Sequence, residues 1–248
     1  MALLDPTVFL VFAAALMTAI ATGLGALPLI WATRVHARWL ALGNAVAAGL
    51  MLAACYSLIT EGFTFDAPRT LAGLIVGVIL IVIASRYLSN HDGASIAEVR
   101  GADAKRILLI VGIMTAHSAA EGVGVGVAYG GGRELGDFIT LAIALHNVPE
   151  GLAISLVMVP RGATVLRAAG WSIFSSLPQP LLAVPAFLFV LAFEPWLPVG
   201  LGLAAGAMLW MIFSELLPEA SEEVSTETVG VVVTLAFTAM LGATLLLH

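Results

Sequence analysis

The sequence predicts an all-α membrane protein with eight transmembrane helices in one bundle. Of its 248 residues, 60% are hydrophobic and 10% are charged, and the mean hydropathy is +1.06. Soluble domains carry about 25% charged residues, so this composition is typical of a membrane protein. Apolar runs long enough to cross a bilayer, which takes about 20 residues, recur along the whole chain. Most loops between them are short, so we expect one transmembrane domain over residues 1–248.

Eight runs meet the length requirement for a transmembrane helix, each with ends defined to within a few residues. The predicted spans are 7–32, 38–60, 70–89, 106–128, 136–159, 168–193, 197–218 and 228–247. The longest connection, at about 90–105, is polar, and we expect it to be a mobile cytoplasmic loop.

Positive charge predicts the orientation, because Lys and Arg concentrate in cytoplasmic loops. The loops on the other side of the membrane carry only Arg69 and Arg133. The loops after spans one, three and five carry eight basic residues: Arg34, Arg38, Arg86, Arg100, Lys105, Arg106, Arg161 and Arg167. This bias predicts that both termini lie outside the cytoplasm. The predicted loop at 219–227 holds only acidic charges, which weigh little in this rule. It is either a cytoplasmic cation acceptor or a solvated acidic loop.

Composition also excludes several functions. The net charge of -6 argues against a nucleic-acid partner. The single cysteine, Cys55, lies in an apolar run, so the chain has neither a disulfide framework nor a Cys-x-x-Cys metal site.

Two copies of one short motif lie in the middle of the chain. The first runs from His117 through Glu121 to Gly122, and the second runs from His146 through Glu150 to Gly151. Histidine and glutamate four residues apart project from one face of a helix. Titratable groups inside a bilayer are costly and normally mark an ion or proton path.

The two motifs are expected at the same depth. His117 lies about eleven residues into span four and His146 about ten residues into span five, and a short loop makes these spans antiparallel neighbours. Two imidazoles and two carboxylates can therefore converge. This nitrogen and oxygen set suits Zn²⁺, and also Fe²⁺ or Mn²⁺. Two carboxylates offset the charge of one divalent ion, which favours movement of such an ion through the membrane.

Other polar residues extend this path. Two prolines break span six beside Gln179, and broken helices at membrane depth occur where they line a cavity. Glu215 and Glu219 lie near the cytoplasmic end of span seven. Glu61 and Asp66 form either an external mouth or a wet loop.

The paired motifs resemble those of the ZIP (Zrt-/Irt-like) metal transporters, most closely the bacterial short-loop branch. The similarity also includes Ala47–Leu52 in span two and the segments Gly206–Met208 and Ser214–Glu219 in span seven, and it covers nearly the whole chain.

The resemblance implies uptake of Zn²⁺, and of Fe²⁺, Mn²⁺ or Cd²⁺ as further candidates, across a bacterial inner membrane into the cytoplasm. Zn²⁺ would be the transported substrate, with no organic cofactor. The resemblance also implies a homodimer, and a bundle of spans one, four, five and six that moves against spans two, three, seven and eight. It implies a primary metal site built from five residues: Met51, His117, Glu121, His146 and Glu150.

Some relatives hold a second metal with Asn in span four, Asp or Asn in span five and Glu in span six. The corresponding residues here are Ser118, Asn147 and Gln179, and because none is anionic we expect a second ion to bind much more weakly. Relatives also often have His before the span-seven Glu, where this chain has Ser214. The cytoplasmic exit would then depend on Glu215 and Glu219.

Two alternatives use the same residues. A divalent-metal channel or a proton-coupled carrier fits the motifs as well. An intramembrane metal-dependent hydrolase needs an open metal position and an unliganded base. The sequence has neither His-Glu-x-x-His nor Gly-x-Ser-x-Gly, so we do not expect an enzyme.

Overall fold

The computed structural model describes residues 6–31, 36–90 and 102–247. Within these ranges the ordered elements are all helices, without a strand, which confirms the predicted all-α class. Residues 91–101 of the predicted polar loop lie outside the described residues, as do Arg34 and Arg100.

Five apolar helical stretches in the described ranges are long and apolar enough to cross a membrane, as expected for a polytopic membrane protein. They are Thr7–Trp31, Ala37–Tyr87, Arg133–Met158, Val165–Ala192 and Glu194–Glu223. The number of eight spans and the side of each terminus stay predictions.

The first predicted span is divided into two helices. Helix α1 covers Pro6–Leu24, and the short helix α2 covers Pro28–Trp31. Between them, Gly25 lies so close to α5 that a Cβ atom would overlap the Val148 carbonyl. Pro28 has no backbone N–H to continue the α1 hydrogen bonds, so a new helix starts there.

Spans two and three form helix α3, Ala37–Asn90, which folds back at Asp66 (φ -164°, ψ 101°). A Cβ atom on Gly62 would contact the Thr70 side chain, although eight residues of straight helix separate two atoms by about 12 Å. The Asp66 carboxylate accepts from the Arg69 backbone N–H at 2.9 Å and caps the second half of α3. The predicted connection at 61–69 is therefore helical except at Asp66.

Helices α4 (Ala102–Gly131) and α5 (Arg133–Met158) follow each other with only Gly132 between them. Gly132 has φ 137°, a conformation that favours glycine, and it allows the chain to reverse direction within one residue. The two helices that carry the sequence motifs are thus direct antiparallel neighbours.

The sixth predicted span is broken in the predicted place. Helix α6 covers Val165–Ser176 and helix α7 covers Pro178–Ala192. The break at Leu177 precedes two prolines, Pro178 and Pro180, which cannot donate to the carbonyls of α6.

Helix α8 covers Leu197–Met211, a π-helical turn covers Ile212–Leu216, and helix α9 covers Leu217–Glu223. Helix α10, Thr226–Leu247, completes the described chain. The sequence prediction ended this span at 218 and placed a loop at 219–227, whereas the structure continues the helix to Glu223. Pro218, which has no backbone N–H, lies directly after the π-helical turn, where the hydrogen-bonding pattern of the helix changes.

Helix α8 packs against the second half of α3 through two pairs of glycines four residues apart. A Cβ atom on Gly73 or Gly77 would overlap a backbone carbonyl of α8, and one on Gly202 or Gly206 would overlap a carbonyl of α3. Small residues at this spacing let helix backbones approach closely in membranes. Helix α8 also packs against α4, the helix that carries the first motif.

Candidate metal centre

Three of the four motif side chains meet in the interior. The ligand atoms of Glu121, His146 and Glu150 all lie within 4.8 Å of one another. His146 Nε2 is 2.8 Å from Glu121 Oε1 and 3.6 Å from Glu150 Oε1. Both Glu121 and His146 are fully buried, at 0% exposure. We refer to these three residues as the triad.

The motif glycines let the neighbouring helices α7 and α1 approach α4 and α5 closely beside the triad. A Cβ atom on Gly122 would overlap the backbone of Gln179 in α7, and one on Gly151 would overlap the Thr22 carbonyl in α1. Each glycine follows its glutamate directly, so the close helix crossing lies next to the carboxylate. The surrounding backbone therefore restricts where each carboxylate can be.

The fourth motif side chain, His117, contacts a residue outside the two motifs. His117 is buried, and its Nε2 atom lies 2.5 Å from Oε2 of Glu215. Glu215 belongs to the π-helical turn Ile212–Leu216, a type of distortion that is frequent at functional sites. The structure thus joins a residue predicted for the central site to one predicted for the cytoplasmic exit, although the sequence carries no signal for this pairing.

The residues predicted for a second metal site form hydrogen bonds with other side chains. Gln179 Nε2 donates to Glu121 Oε2 at 2.6 Å, and Asn147 Nδ2 lies 3.3 Å from Gln179 Oε1. Ser118 donates to the hydroxyl of Ser176 at 3.4 Å. The Asn147 and Gln179 side chains are fully buried.

Sequence reasoning missed the hydroxyl groups of α1. Thr18 Oγ1 is 2.6 Å from Gln179 Oε1, and Thr22 Oγ1 is 2.8 Å from Ser176 Oγ. The available signal was the spacing of Thr18 and Thr22, one helical turn apart in an otherwise apolar segment. Both side chains are buried and face the broken helix α6–α7.

Glu215 and Glu219 line a cavity of about 480 Å³ near the start of α9. Glu222, Glu223 and Asn44 line the same cavity, and Asn44 Nδ2 donates to Glu219 Oε2 at 3.0 Å. We call this space the acidic cavity. Glu215 connects His117 to the acidic cavity, because it contacts His117 and also lines the cavity.

The remaining predicted residues have different surroundings. Met51 is fully buried in the main hydrophobic cluster. Asp66 caps the second half of α3 and pairs with Arg69 at 3.6 Å, which gives it a structural role at the fold of that helix. Glu61 is partly exposed, and its side chain lies close to Gly131 at the end of α4.

The triad offers one imidazole nitrogen and two carboxylates in a space closed to solvent. This donor set suits Zn²⁺ and other divalent transition metals. Two polar atoms beside it, His146 Nδ1 and Asn147 Oδ1, are buried and have no hydrogen-bond partner within the described part of the chain. Buried polar atoms are normally hydrogen-bonded, and buried carboxylates such as those of the triad are normally paired or coordinate a metal.

Comparisons with known proteins agree with this chemistry. The family model of the ZIP zinc transporters matches residues 85–247, which include the triad, His117 and the four glutamates that line the acidic cavity. A protein of Arabidopsis thaliana named for zinc transport is 43% identical over 91% of the chain, and the chain spans 37% of its length. Zinc transporter ZIPB of Bordetella bronchiseptica is 31% identical over 85% of the chain, which spans 73% of that protein. Zinc transporter GufA of Myxococcus xanthus is 30% identical over 83% of the chain, which spans 86% of that protein.

The family model covers more than half of the chain, and the bacterial similarities extend over most of both partners. They confirm the resemblance drawn from the two motifs and the expectation that the chain is not an enzyme. On this evidence the chain belongs to the ZIP zinc transporter family.

Proposed function

We propose that this protein carries Zn²⁺ across a membrane into the cytoplasm, and that Fe²⁺, Mn²⁺ and Cd²⁺ are further candidate substrates. The observation that carries the proposal is the triad of Glu121, His146 and Glu150, buried among apolar helices. Two carboxylates balance one divalent ion, so the loaded triad would be nearly neutral. That neutrality lowers the free energy of holding the ion in a low-dielectric interior.

The path we propose runs from the triad past His117 to the acidic cavity. His117 contacts Glu215, and Glu215 lines the cavity together with Glu219. An ion leaving the triad would therefore meet ligands of the same chemical type at successive positions. Transport needs binding that is strong enough for the ion to enter but weak enough for it to leave, and a series of sites meets this need.

The proposal includes the membrane arrangement predicted from the sequence: eight spans, both termini outside the cytoplasm of a bacterial inner membrane, and assembly as a homodimer. The excess of basic residues in the loops after spans one, three and five supports the orientation. Reporter fusions at each terminus, one type active only inside the cell and the other only outside, would test it. A cytoplasmic signal from either terminus would contradict this orientation.

The experiment that tests the function is uptake into liposomes. Purified protein is reconstituted with a metal-sensitive dye inside, and Zn²⁺, Fe²⁺, Mn²⁺, Cd²⁺, Mg²⁺ or Ca²⁺ is added outside. We expect uptake of the transition-metal ions, because a nitrogen ligand suits them better than Mg²⁺ or Ca²⁺. Glu150→Gln should abolish uptake, and Glu194→Gln, at an exposed position far along the chain, is the matched control. Equal uptake by Glu150→Gln and the wild type would refute the triad as the transport site.

The same liposomes separate the two transport mechanisms that share these residues. Saturable uptake with a steep temperature dependence indicates a carrier, and fast uptake with a shallow dependence indicates a channel. A proton-coupled carrier would, in addition, respond to a pH gradient imposed across the liposome membrane. We propose the carrier, because the triad is buried and its Glu121 and His146 side chains are 0% exposed.

A further inference from the structure

Gln179 contacts the triad through Oε2 of Glu121, the oxygen of that carboxylate that does not face His146. Glu121 Oε1 is 2.8 Å from His146 Nε2, and Glu121 Oε2 accepts from Gln179 Nε2 at 2.6 Å. The two oxygens of Glu121 therefore have separate partners on α5 and α7. Rotation of the carboxylate would break both contacts at once.

This arrangement requires the Gln179 amide to present its nitrogen to Glu121, and a backbone carbonyl determines that orientation. Asn147 Nδ2 donates to the Thr18 carbonyl at 2.8 Å, and a carbonyl can only accept. The nitrogen of the Asn147 amide is thereby identified. Its second hydrogen faces Gln179 at 3.3 Å, so the atom of Gln179 on that side must be the oxygen. The Gln179 nitrogen then points to Glu121.

The Thr18 hydroxyl contributes less to this orientation than Asn147 does. Its oxygen lies 2.6 Å from Gln179 Oε1 and 2.7 Å from the Ala15 carbonyl, and a hydroxyl has a single hydrogen to donate. If Gln179 turned over, Thr18 could accept from its nitrogen and still donate to Ala15. Asn147 has no such alternative, since its nitrogen is held by the Thr18 backbone.

We propose that Asn147 and Gln179 are positioning residues that hold Glu121 for a single transported ion. Asn147 orients the Gln179 amide, and the amide occupies the second oxygen of Glu121 and leaves the first facing His146. This inference rests on the proposed function, because it assumes that the triad binds the transported ion. Groups that orient metal ligands in this way typically change metal affinity about 10–100-fold when they are removed.

The test is a double-mutant cycle read by metal binding in the purified, detergent-solubilised full-length protein. Gln179→Leu and Asn147→Leu should each weaken Zn²⁺ binding about 10–100-fold. The double variant should bind Zn²⁺ as Gln179→Leu does, because Asn147 acts through Gln179. If the two residues acted independently, the losses of binding free energy in the single variants would add in the double variant. Thr18→Val should have a smaller effect than Asn147→Leu. Ser155→Ala, a buried serine two turns along α5 from Asn147, is the matched control and should bind as the wild type does.

Co²⁺ provides a readout that general loss of structure would not reproduce. Its visible absorption depends on the geometry of the ligands, so both leucine variants should shift the wild-type spectrum in the same way while their melting temperatures stay close to that of the control. A wild-type spectrum in Asn147→Leu, or additive losses of Zn²⁺ affinity, would overturn the orienting role. A wild-type protein that binds neither ion would instead refute the proposed function, and the inference with it.

Discussion

His117 Nε2 lies 2.5 Å from Glu215 Oε2, so a motif histidine of α4 contacts the π-helical turn that follows α8. This contact joins the two parts of the chain that the sequence assigns to the central site and to the exit. Any movement of α4 relative to α8 must break or remake it.

The triad and His117 should respond differently to mutation. Glu121→Ala and His117→Ala should each abolish most Zn²⁺ uptake, because both residues lie on the proposed path. Glu121→Ala should also lower equilibrium Zn²⁺ affinity by more than about 100-fold, beyond the effect of losing a residue that only orients a ligand. His117→Ala should lower the affinity less, since His117 is paired with Glu215. Liposome uptake and metal titration measure the two properties, with exposed His36→Ala as the control. Normal uptake in both folded variants would exclude this path.

Glu215→Gln tests the pair itself. The substitution keeps the size of the side chain and removes its charge, so it should slow uptake and leave Zn²⁺ affinity at the triad unchanged. The physical reason is that the substitution removes a charge beside His117 and the acidic cavity and leaves the three residues of the triad intact. Initial uptake rates over a range of Zn²⁺ concentrations measure the effect, with Glu194→Gln as the control. A loss of triad affinity as large as that of Glu121→Ala would place Glu215 in the binding site instead.

Zn²⁺ binding should weaken as the pH falls. Imidazole must be neutral and carboxylates must be ionised to bind a metal, so protons compete with the ion at every member of the triad. The affinity should therefore be highest at the alkaline end of the range from pH 8 to about 5 and should decrease steadily toward the acid end. Titration with a metal-sensitive dye at fixed ionic strength measures this dependence. A constant affinity over the same range would contradict ligation by His146.

Gln179→Glu should increase the number of ions bound. The wild type should bind one Zn²⁺ tightly per protomer, because two carboxylates balance only one divalent ion and a second ion a few Å away is strongly repelled. A glutamate in place of Gln179 adds a negative charge beside Glu121 and should create a second tight site, with slower release as a consequence. Metal analysis of the dialysed proteins gives the stoichiometry. Two equally tight ions in the wild type would show that neutral oxygens suffice.

Gly151→Ala should destabilise the protein. A Cβ atom there would overlap the Thr22 carbonyl, and the overpacking of a filled interior typically lowers stability by about 1–3 kcal/mol. Gly230→Ala is the matched control, because a Cβ atom at Gly230 meets no neighbouring atom among the described residues. The control should be neutral or slightly stabilising, since alanine favours helix over glycine by up to about 1 kcal/mol. Thermal unfolding in detergent compares the two. Equal melting temperatures would mean that α1 and α5 can separate at no cost.

The sequence by itself determined the helical class, the family and the central motifs. Apolar runs and few charges require a membrane protein, and a histidine and glutamate four residues apart must share a helix face. The break of span six was also predictable, because Pro178 and Pro180 cannot donate backbone hydrogen bonds. These features depend only on the chemistry of residues that are close together in the sequence.

Only the tertiary structure decided the partners of those side chains. Nothing near His117 in the sequence indicates Glu215, and nothing near Gln179 indicates Thr18. The resemblance placed Asn147 and Gln179 at one site, but it did not indicate the hydrogen bonds they form. These contacts depend on which helix faces meet and at what height, and those are determined by the packing of glycines such as Gly122 and Gly151 against distant backbone. Helix periodicity predicts which residues share a helix face. Which other helix contacts that face depends on the packing of the whole bundle.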